Sequence, residues 1–180
     1  TRVLVLANDF WRSRRLIERA YLEQIRRARH RVLIENSYFV PGFLVRRALA
    51  KAVRNGAKVE VVVAGNSDVP AVTYATRKLY GYMMRRGIRL FEWTKNVLHS
   101  KIAVVDAWCT VGSHNLDYRS WLYNLEINVS VEDAGVADAL ARQIEADIAE
   151  SMPVDALQWR FRPLFDRILE EFFYAFRRLF

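Results

Sequence analysis

Two short stretches of this sequence combine the side-chain types that an attack on a phosphodiester requires. His99 and Lys101 lie two residues apart, and Gly112, Ser113 and Asn115 form the next stretch. A histidine that is neutral near pH 7 can attack phosphorus and form a covalent phosphohistidine. The lysine supplies positive charge where phosphoryl charge develops, the glycine–serine turn brings amides and a hydroxyl to the anion, and Asn115 adds a neutral donor. These residues predict phosphodiester chemistry that needs no metal ion.

The strand predicted over 99–105 decides which of these side chains share a pocket. Side chains alternate along a strand, so His99 and Lys101 are predicted to point to the same side. Ala103 follows them on that side and leaves room for a substrate. Asp106 lies at odd spacing from both, which excludes it from the pocket. We therefore predict a structural role for Asp106, such as binding backbone amides or a buried arginine.

A second predicted strand, over 125–131, carries polar side chains on one face. Glu126, Asn128 and Ser130 share that face, while apolar residues occupy the other. A polar face so close to the histidine is predicted to look into a site, and an edge that faces solvent is the alternative. A histidine base needs a partner that fixes its tautomer. Glu126 is the candidate for that role toward His99.

Apolar runs and helical spacings alternate along the chain in the manner of an α/β protein. Order and spacing predict one mixed β-sheet flanked by helices on both faces, with an amphipathic helix at the C-terminus. Strands are predicted at about 2–7, 32–35, 59–64, 89–92, 99–105, 108–111 and 125–131, and helices at about 13–28, 43–54, 71–86 and 133–151.

Length and composition limit the classes to which the protein can belong. The chain has 180 residues, 52% of them hydrophobic, and a net charge of +8, which favours phosphate-bearing partners. A single cysteine, Cys109, excludes an internal disulfide and a zinc site with several cysteines. Eight arginines lie between Arg12 and Arg31 against Glu18 and Glu23, either as a solvated helix face or as an anion-facing patch. The sequence contains no apolar run long enough to span a bilayer.

The end of the chain differs from the rest. We divide the sequence into a catalytic half-domain over 1–158 and an amphipathic helix over 159–180, where Pro163 suits a first helical turn. Apolar residues occupy one side of that helix and charged residues the other. Three interpretations stay open: packing on its own domain, contact with a partner half-molecule, or a membrane interface.

The pattern His-x-Lys-x-x-x-x-Asp, followed by Gly-Ser-x-Asn, is similar to the signature of the phospholipase D superfamily. Residues 36–41 (Asn-Ser-Tyr-Phe-Val-Pro) resemble a tyrosine loop of its bacterial cardiolipin synthase branch, and 112–120 resemble that branch as well. The resemblance covers nearly the whole chain, as the second half of such an enzyme. Tyr38 and Phe39 are candidates for a substrate pocket, with ordinary core aromatics as the alternative.

The resemblance implies a role for each residue that matches the motif. His99 is the nucleophile or general acid, Lys101 and Asn115 bind phosphate, Ser113 assists, and Glu126 orients His99. The implied reaction is phosphatidyl transfer between phospholipids through a phosphohistidine, without cofactor or metal. The implied partners are an anionic phospholipid such as phosphatidylglycerol and a membrane surface, which predicts peripheral association with the cytoplasmic membrane.

The superfamily mechanism uses two histidines, and this chain carries one copy of the motif. His30 and His114 lack a lysine two residues further on. The second catalytic half is therefore expected from another domain or from a homodimer partner, and a chain that opens on a strand without methionine is expected to be part of a longer protein. The alternatives are a homodimeric phosphodiesterase or nuclease, a phospholipase D hydrolase, and a membrane-docking scaffold with a vestigial site. The apolar tail argues against nucleic acid.

Overall fold

One mixed sheet of eight strands forms the centre of the computed structural model, which describes residues 1–9 and 15–179. The spatial order is β1-β7-β6-β5-β2-β3-β4-β8. Parallel pairing joins β2 to β3 and β3 to β4, and the other neighbours are antiparallel. The strands are β1 (Arg2–Asn8), β2 (Arg31–Asn36), β3 (Lys58–Ala64), β4 (Arg89–Trp93), β5 (Lys101–Val105), β6 (Trp108–Gly112), β7 (Glu126–Glu132) and β8 (Met152–Pro153).

The helices fall largely where the apolar spacing predicts them. The helix predicted over 43–54 forms at those bounds, because Asn55 and Gly56, with φ at +94°, end it. The helix predicted over 71–86 divides at Leu79, and three short elements are not predicted: α5 (Tyr118–Leu122), β8 and α7 (Ala156–Arg160). The helices are α1 (Leu16–Arg27), α2 (Phe43–Arg54), α3 (Pro70–Lys78), α4 (Tyr80–Met84), α5 (Tyr118–Leu122), α6 (Ala134–Glu150), α7 (Ala156–Arg160) and α8 (Leu164–Ala175).

Helices cover both faces of the sheet, which confirms the predicted fold class. Helices α1 to α4 pack on one face, over a core that includes the fully buried rings of Tyr21, Phe39 and Tyr80. Helix α6 packs on the other face through Ala137, Ala141 and Ile144, among others. Asp133 starts α6 by accepting hydrogen bonds from backbone amides of its first turn.

Strand β7, which lies between β1 and β6, buries its polar face and exposes its apolar face. Glu126, Asn128 and Ser130 are buried, whereas Ile127 and Val129 are exposed on the side of the sheet where α6 packs. The neighbouring strands continue this exposed apolar surface, because Val5 of β1 and Val111 of β6 are both in register with Val129 and exposed. Polar groups turn inward here because the candidate site lies on that side.

Part of the arginine-rich segment falls outside the described residues, including Arg12 and Arg14. Within the described part, Arg15 pairs with the buried Glu18 through its Nε, at 2.6 Å. This arginine therefore stabilises the fold locally and is not wholly available to an external anion.

Candidate active site

Strand directions bring the predicted residues to one edge of the sheet, which we call the catalytic edge. β2 and β6 end at this edge, and β5 and β7 begin there, because β5 runs antiparallel to β2 and β6, and β7 antiparallel to β6. Lys101 opens β5, Glu126 opens β7 and Gly112 closes β6. The fold therefore gathers residues that are far apart in sequence.

Lys101 provides the buried positive charge at the catalytic edge. Its Nζ donates hydrogen bonds to the Ser37 Oγ at 3.0 Å and to the His99 backbone oxygen at 2.8 Å. Burial lowers the pKa of Lys101, although nearby carboxylates, Glu126 foremost, act in the opposite direction. The ammonium group is thus fixed in place and incompletely hydrated, which strengthens its interaction with an anion.

His99 lies just before β5 and is exposed. The strand begins at Lys101, two residues later than predicted, because its partner β2 ends at Asn36, directly opposite Lys101. One further hydrogen bond, from the Ser37 amide to the Ser100 oxygen, continues the pairing. Strand alternation therefore does not by itself set the direction of the imidazole, but the backbone contact with Lys101 keeps the two residues together.

Glu126 is buried and held by neighbours other than the predicted one. Its Oε2 accepts a hydrogen bond from the Ser113 hydroxyl, and its Oε1 accepts one from the Asn124 amide at 3.1 Å. In residues 1–9 and 15–179 the structure gives no hydrogen bond between Glu126 and His99. The carboxylate thus fixes Ser113 and contributes negative charge beside Lys101.

Two buried asparagines hold the loop that carries Asn115. The Asn36 Nδ2 donates to the His114 oxygen at 3.4 Å, and the Asn36 Oδ1 accepts from the Leu116 amide at 3.1 Å. On the other side, the Asn128 Oδ1 accepts from the His114 amide at 3.2 Å. Asn115 is itself buried. These contacts fix the loop backbone and so place Asn115 at the catalytic edge.

His114 is a core residue rather than a second catalytic histidine. It is fully buried, and burial lowers its pKa to about 4, so it is neutral at physiological pH. Within the described part of the chain, neither ring nitrogen has a hydrogen-bond partner. Its imidazole lies 6.5 Å from the Tyr21 ring, between centroids.

The two aromatic residues predicted for a substrate pocket separate in the structure. Tyr38 is half-buried and donates a hydrogen bond to the Asp68 Oδ1 at 2.7 Å. That hydrogen bond lowers the pKa of Asp68, and the charge of His99 acts in the same direction, which puts His99 within electrostatic reach of Asp68. Phe39 is fully buried in the core, so its ring packs and does not line an open pocket.

Asp106 lies in the turn between β5 and β6, about 16 Å from Lys101 along the strand. Its carboxylate accepts hydrogen bonds from the backbone amides of Arg29, His30 and Arg31 at 2.8, 2.9 and 2.9 Å. Burial acts to raise the pKa of Asp106, but these amides lower it overall. The residue therefore ties the turn to the start of β2 and lies outside the site.

A glycine is required at position 112, because β6 and β7 approach closely there. A Cβ atom at Gly112 would lie 2.2 Å from the Ile127 oxygen and 2.4 Å from the Asn128 Oδ1. We expect Gly112→Ala to lower the free energy of unfolding by about 3 kcal/mol, because β7 has to shift. Urea unfolding measures this. Gly135→Ala is the control, since its Cβ meets only an ordinary contact; an equal loss in both variants would contradict the argument.

Glu35 is a buried carboxyl group that sequence reasoning missed. It lies on the α6 side of β2, and its Oε1 accepts a hydrogen bond from the hydroxyl of Ser100, the neighbour of His99. Burial raises the pKa of Glu35 to about 7, Ser100 acts to lower it, and the nearby Asp147 raises it further. The pair Glu35–Ser100 supports the segment that carries His99 from the α6 side of the sheet.

This pKa predicts how stability changes with pH. A carboxyl whose pKa is raised on folding binds its proton more tightly in the folded state, so stability falls as pH rises from about 4.5 to about 7 and stays at the lower level above that. We expect Glu35→Gln to raise the free energy of unfolding by about 2 kcal/mol at pH 8 and to have little effect at pH 4.5. Urea unfolding at both pH values measures this. Asp147→Asn should also raise the free energy of unfolding at pH 8, by a smaller amount. A rise for Glu35→Gln that is the same at both pH values would contradict the explanation by ionisation of Glu35.

The residues that sequence reasoning missed are those that support the motif rather than belong to it. They act through backbone contacts or face the motif from another strand, so motif spacing gives no signal for most of them. The alternation of β7 did give a signal for one supporting residue, Asn128, which lies on the face predicted to look into a site. The residues that were missed are Glu35, Asn36, Ser37 and Asp68.

Comparison with known proteins adds to this geometry. The family model described as cardiolipin synthase, PLD-like domain, matches residues 21–148. Cardiolipin synthase B of Escherichia coli strain K12 is 39% identical over 148 residues, which cover 82% of this chain and 36% of that protein. Cardiolipin synthase A of Pectobacterium carotovorum is 32% identical over 178 residues, which cover 98% of this chain and 37% of that protein. The chain thus spans about a third of the length of these relatives.

Among solved structures, the fold is similar to that of phosphatidylserine synthase from Haemophilus influenzae. The TM-score is 0.76 at 15% sequence identity, and the match covers 98% of this chain and 45% of that one. At this identity the likeness concerns the fold alone. It extends over the mixed sheet and the helices on both of its faces.

Proposed function

Because the chain belongs to the cardiolipin synthase family with a PLD-like domain, we propose that it supplies one catalytic half of an enzyme that transfers phosphatidyl groups between phospholipids. The observation that carries the proposal is the exposed His99 next to the buried, hydrogen-bonded ammonium of Lys101. A nucleophile open to solvent beside a fixed positive charge suits an esterified phosphate group.

The proposed reaction has two displacements on one phosphorus atom. In the first, the His99 nitrogen attacks the phosphodiester of phosphatidylglycerol, the N–P bond forms, and the P–O bond to glycerol breaks. In the second, the hydroxyl of another phosphatidylglycerol attacks, a new P–O bond forms, and the N–P bond breaks. The products are cardiolipin and glycerol. Lys101 and Asn115 hold the phosphoryl oxygens, and Ser113 assists.

A second histidine has to protonate the leaving glycerol and then accept the proton of the incoming hydroxyl. The other two histidines of this chain do not suit that role. His114 is fully buried, and His30 lies beside Asp106 at the opposite end of β5. These positions support a second catalytic half contributed by another domain or another chain.

The proposed substrates lie in a membrane, and peripheral association suits the described helices. None of the helices in residues 1–9 and 15–179 combines the length and the apolarity that a bilayer crossing needs. A chain that approaches its substrate from the bilayer surface needs an apolar contact with that surface.

The substrate class is tested with the full-length protein that contains this chain. Phosphatidylglycerol labelled in its phosphatidyl phosphorus should yield labelled cardiolipin with an equal amount of glycerol. Labelled phosphatidic acid as the main product would show that the enzyme hydrolyses phosphatidylglycerol instead of transferring its phosphatidyl group. Cleavage of single-stranded DNA without formation of either lipid product would show that the protein is a nuclease.

A further inference from the structure

Helix α8 turns its apolar side away from the rest of the described chain. Phe165, Ile168 and Phe172 are 68%, 56% and 55% exposed, and Leu164 and Phe176 are exposed on the same side. We call these five residues the apolar face of α8. A helix that only packs on its own domain buries such a face, so this arrangement leaves the face available to another surface.

The opposite, partly polar side of α8 is anchored to the domain. Glu170 is 1% exposed and accepts two hydrogen bonds from Arg162, at 2.8 and 2.7 Å. Phe173 stacks on Tyr74 of α3, with ring centroids 5.6 Å apart. Turning the apolar face inward would break a buried ion pair, so the outward orientation is fixed by specific contacts.

Positive charge surrounds this helix. A groove of about 820 Å³ beside α8 is lined by several basic side chains as well as by aromatic and apolar ones. Two acidic residues of α8 pair with groove residues, Glu170 with Arg162 and Glu171 with Lys78, and a third, Asp166, lies in its first turn. The basic groove residues are Arg46, Lys78, Arg85, Arg160, Arg162 and Arg167.

The residues just after α8 also approach the catalytic edge. The guanidinium of Arg177 lies 4.4 Å from the Tyr174 ring centroid and 5.6 Å from that of Tyr118. Tyr118 opens α5, directly after Asp117 and three residues after Asn115. The apolar face, the basic groove and the catalytic edge are therefore joined through neighbouring elements.

We propose that the apolar face of α8 lies in the surface of an anionic bilayer and holds the catalytic edge at the depth of the phospholipid head groups. The proposal rests on the proposed function and names the surface by which that site meets its substrate. Helix α8 is about 18 Å long, short of the roughly 30 Å of a hydrocarbon core, so it lies along the interface. Aromatic and aliphatic residues flanked by arginines suit that position.

A partner protein or a second copy of the chain is the alternative occupant. The strand surface of Val5, Val111 and Val129 lies on the opposite face of the sheet from the core against which α8 packs, and it offers a separate place for a protein. A partner protein on the apolar face of α8 would give no reason for the basic groove beside it. An anionic bilayer does, because its negative surface attracts the basic side chains.

The test uses the full-length protein and sedimentation with vesicles of phosphatidylcholine containing phosphatidylglycerol. The combined variant Phe165→Ser, Ile168→Ser, Phe172→Ser should bind these vesicles about 100-fold more weakly. Its turnover of short-chain phosphatidylglycerol, dissolved as monomers, should stay at the wild-type level. Val136→Ser, an exposed apolar position on α6, is the control and should change neither quantity.

A second set of variants covers the case in which the serine variant folds poorly. Arg160→Gln and Arg167→Gln should each lower the affinity for the anionic vesicles about fivefold and leave the weaker affinity for pure phosphatidylcholine unchanged. Unchanged vesicle binding in the folded serine variant or in both arginine variants would overturn the proposal. So would a loss of turnover of monomeric short-chain phosphatidylglycerol by the serine variant. A change in the subunit number of that variant, measured by light scattering, would also overturn it. Wild-type protein that binds vesicles but makes no cardiolipin would overturn the proposed function alone.

Discussion

Replacing His99 with asparagine in the full-length protein is expected to lower phosphatidyl transfer by about 10⁴-fold or more. Asparagine is similar in size and keeps a polar group, but it can neither attack phosphorus nor exchange a proton near pH 7. The His99 side chain is exposed, and His99 interacts with Lys101 through its backbone oxygen and with Asp68 through charge, so the fold should remain intact. Release of labelled cardiolipin from phosphatidylglycerol measures the rate.

His30→Asn is the matched control, because His30 is also exposed but lies at the other end of β5, beside Asp106. It should keep the wild-type rate. Rapid acid-free quenching with labelled substrate should also trap label on the wild-type protein and none on His99→Asn if His99 is the nucleophile. A His99→Asn rate within tenfold of wild type would exclude a catalytic role for this residue.

Lys101→Met is expected to lower kcat/KM by about 10³-fold while the free energy of unfolding stays level or rises. Methionine fills similar space but removes the charge that faces the phosphoryl oxygens. The ammonium is buried, and its removal also relieves a desolvation cost, so stability should not fall as it would for a purely structural residue. Initial rates and urea unfolding on the same preparations separate the two effects.

The role of Lys101 also predicts how the rate of phosphatidyl transfer by the wild-type enzyme changes with pH. Because burial lowers the pKa of Lys101, the ammonium loses its proton at a lower pH than an ordinary lysine, and transfer should slow as pH rises through that value. The alkaline decline should be absent from the residual activity of Lys101→Met. Lys95→Met, at an exposed pair with Glu150, should keep both the rate and the profile. A wild-type rate for Lys101→Met would show that Lys101 does not hold the phosphoryl oxygens during transfer.

Local patterns in the sequence were sufficient for the fold class. Helix α2 is predicted to the residue because Asn55-Gly56 is a local stop signal, and α6 is predicted from Asp133 as its cap. The break at Leu79 carries no such signal, since the apolar spacing continues through it. Pairing between distant strands, such as β1 with β7, depends on contacts that no local pattern encodes.

The same limit applies to the candidate site. Motif spacing brings Lys101 and the 112–115 turn to one edge, but it does not show what each side chain touches. Glu126 is directed to Ser113 and Asn124 because it opens β7 next to the end of β6, a fact of strand register. Its predicted role as the partner of His99 came from the polar face of its strand and from the resemblance, and the structure gives Ser113 and Asn124 as its hydrogen-bond partners. Phe39 is buried in the core because helices cover that face of the sheet, and the motif gives no information about where those helices lie.

The pairing of β1 with β7 has a consequence for the way this chain folds. Arg2 lies opposite Glu132 and Asn8 opposite Glu126, so the first strand finds its partner only after more than a hundred intervening residues have left the ribosome. Contacts of such long sequence separation slow folding. Until then, the backbone hydrogen-bonding groups of β1 have no strand partner and are prone to aggregation, so efficient synthesis should depend on chaperones that shield this strand.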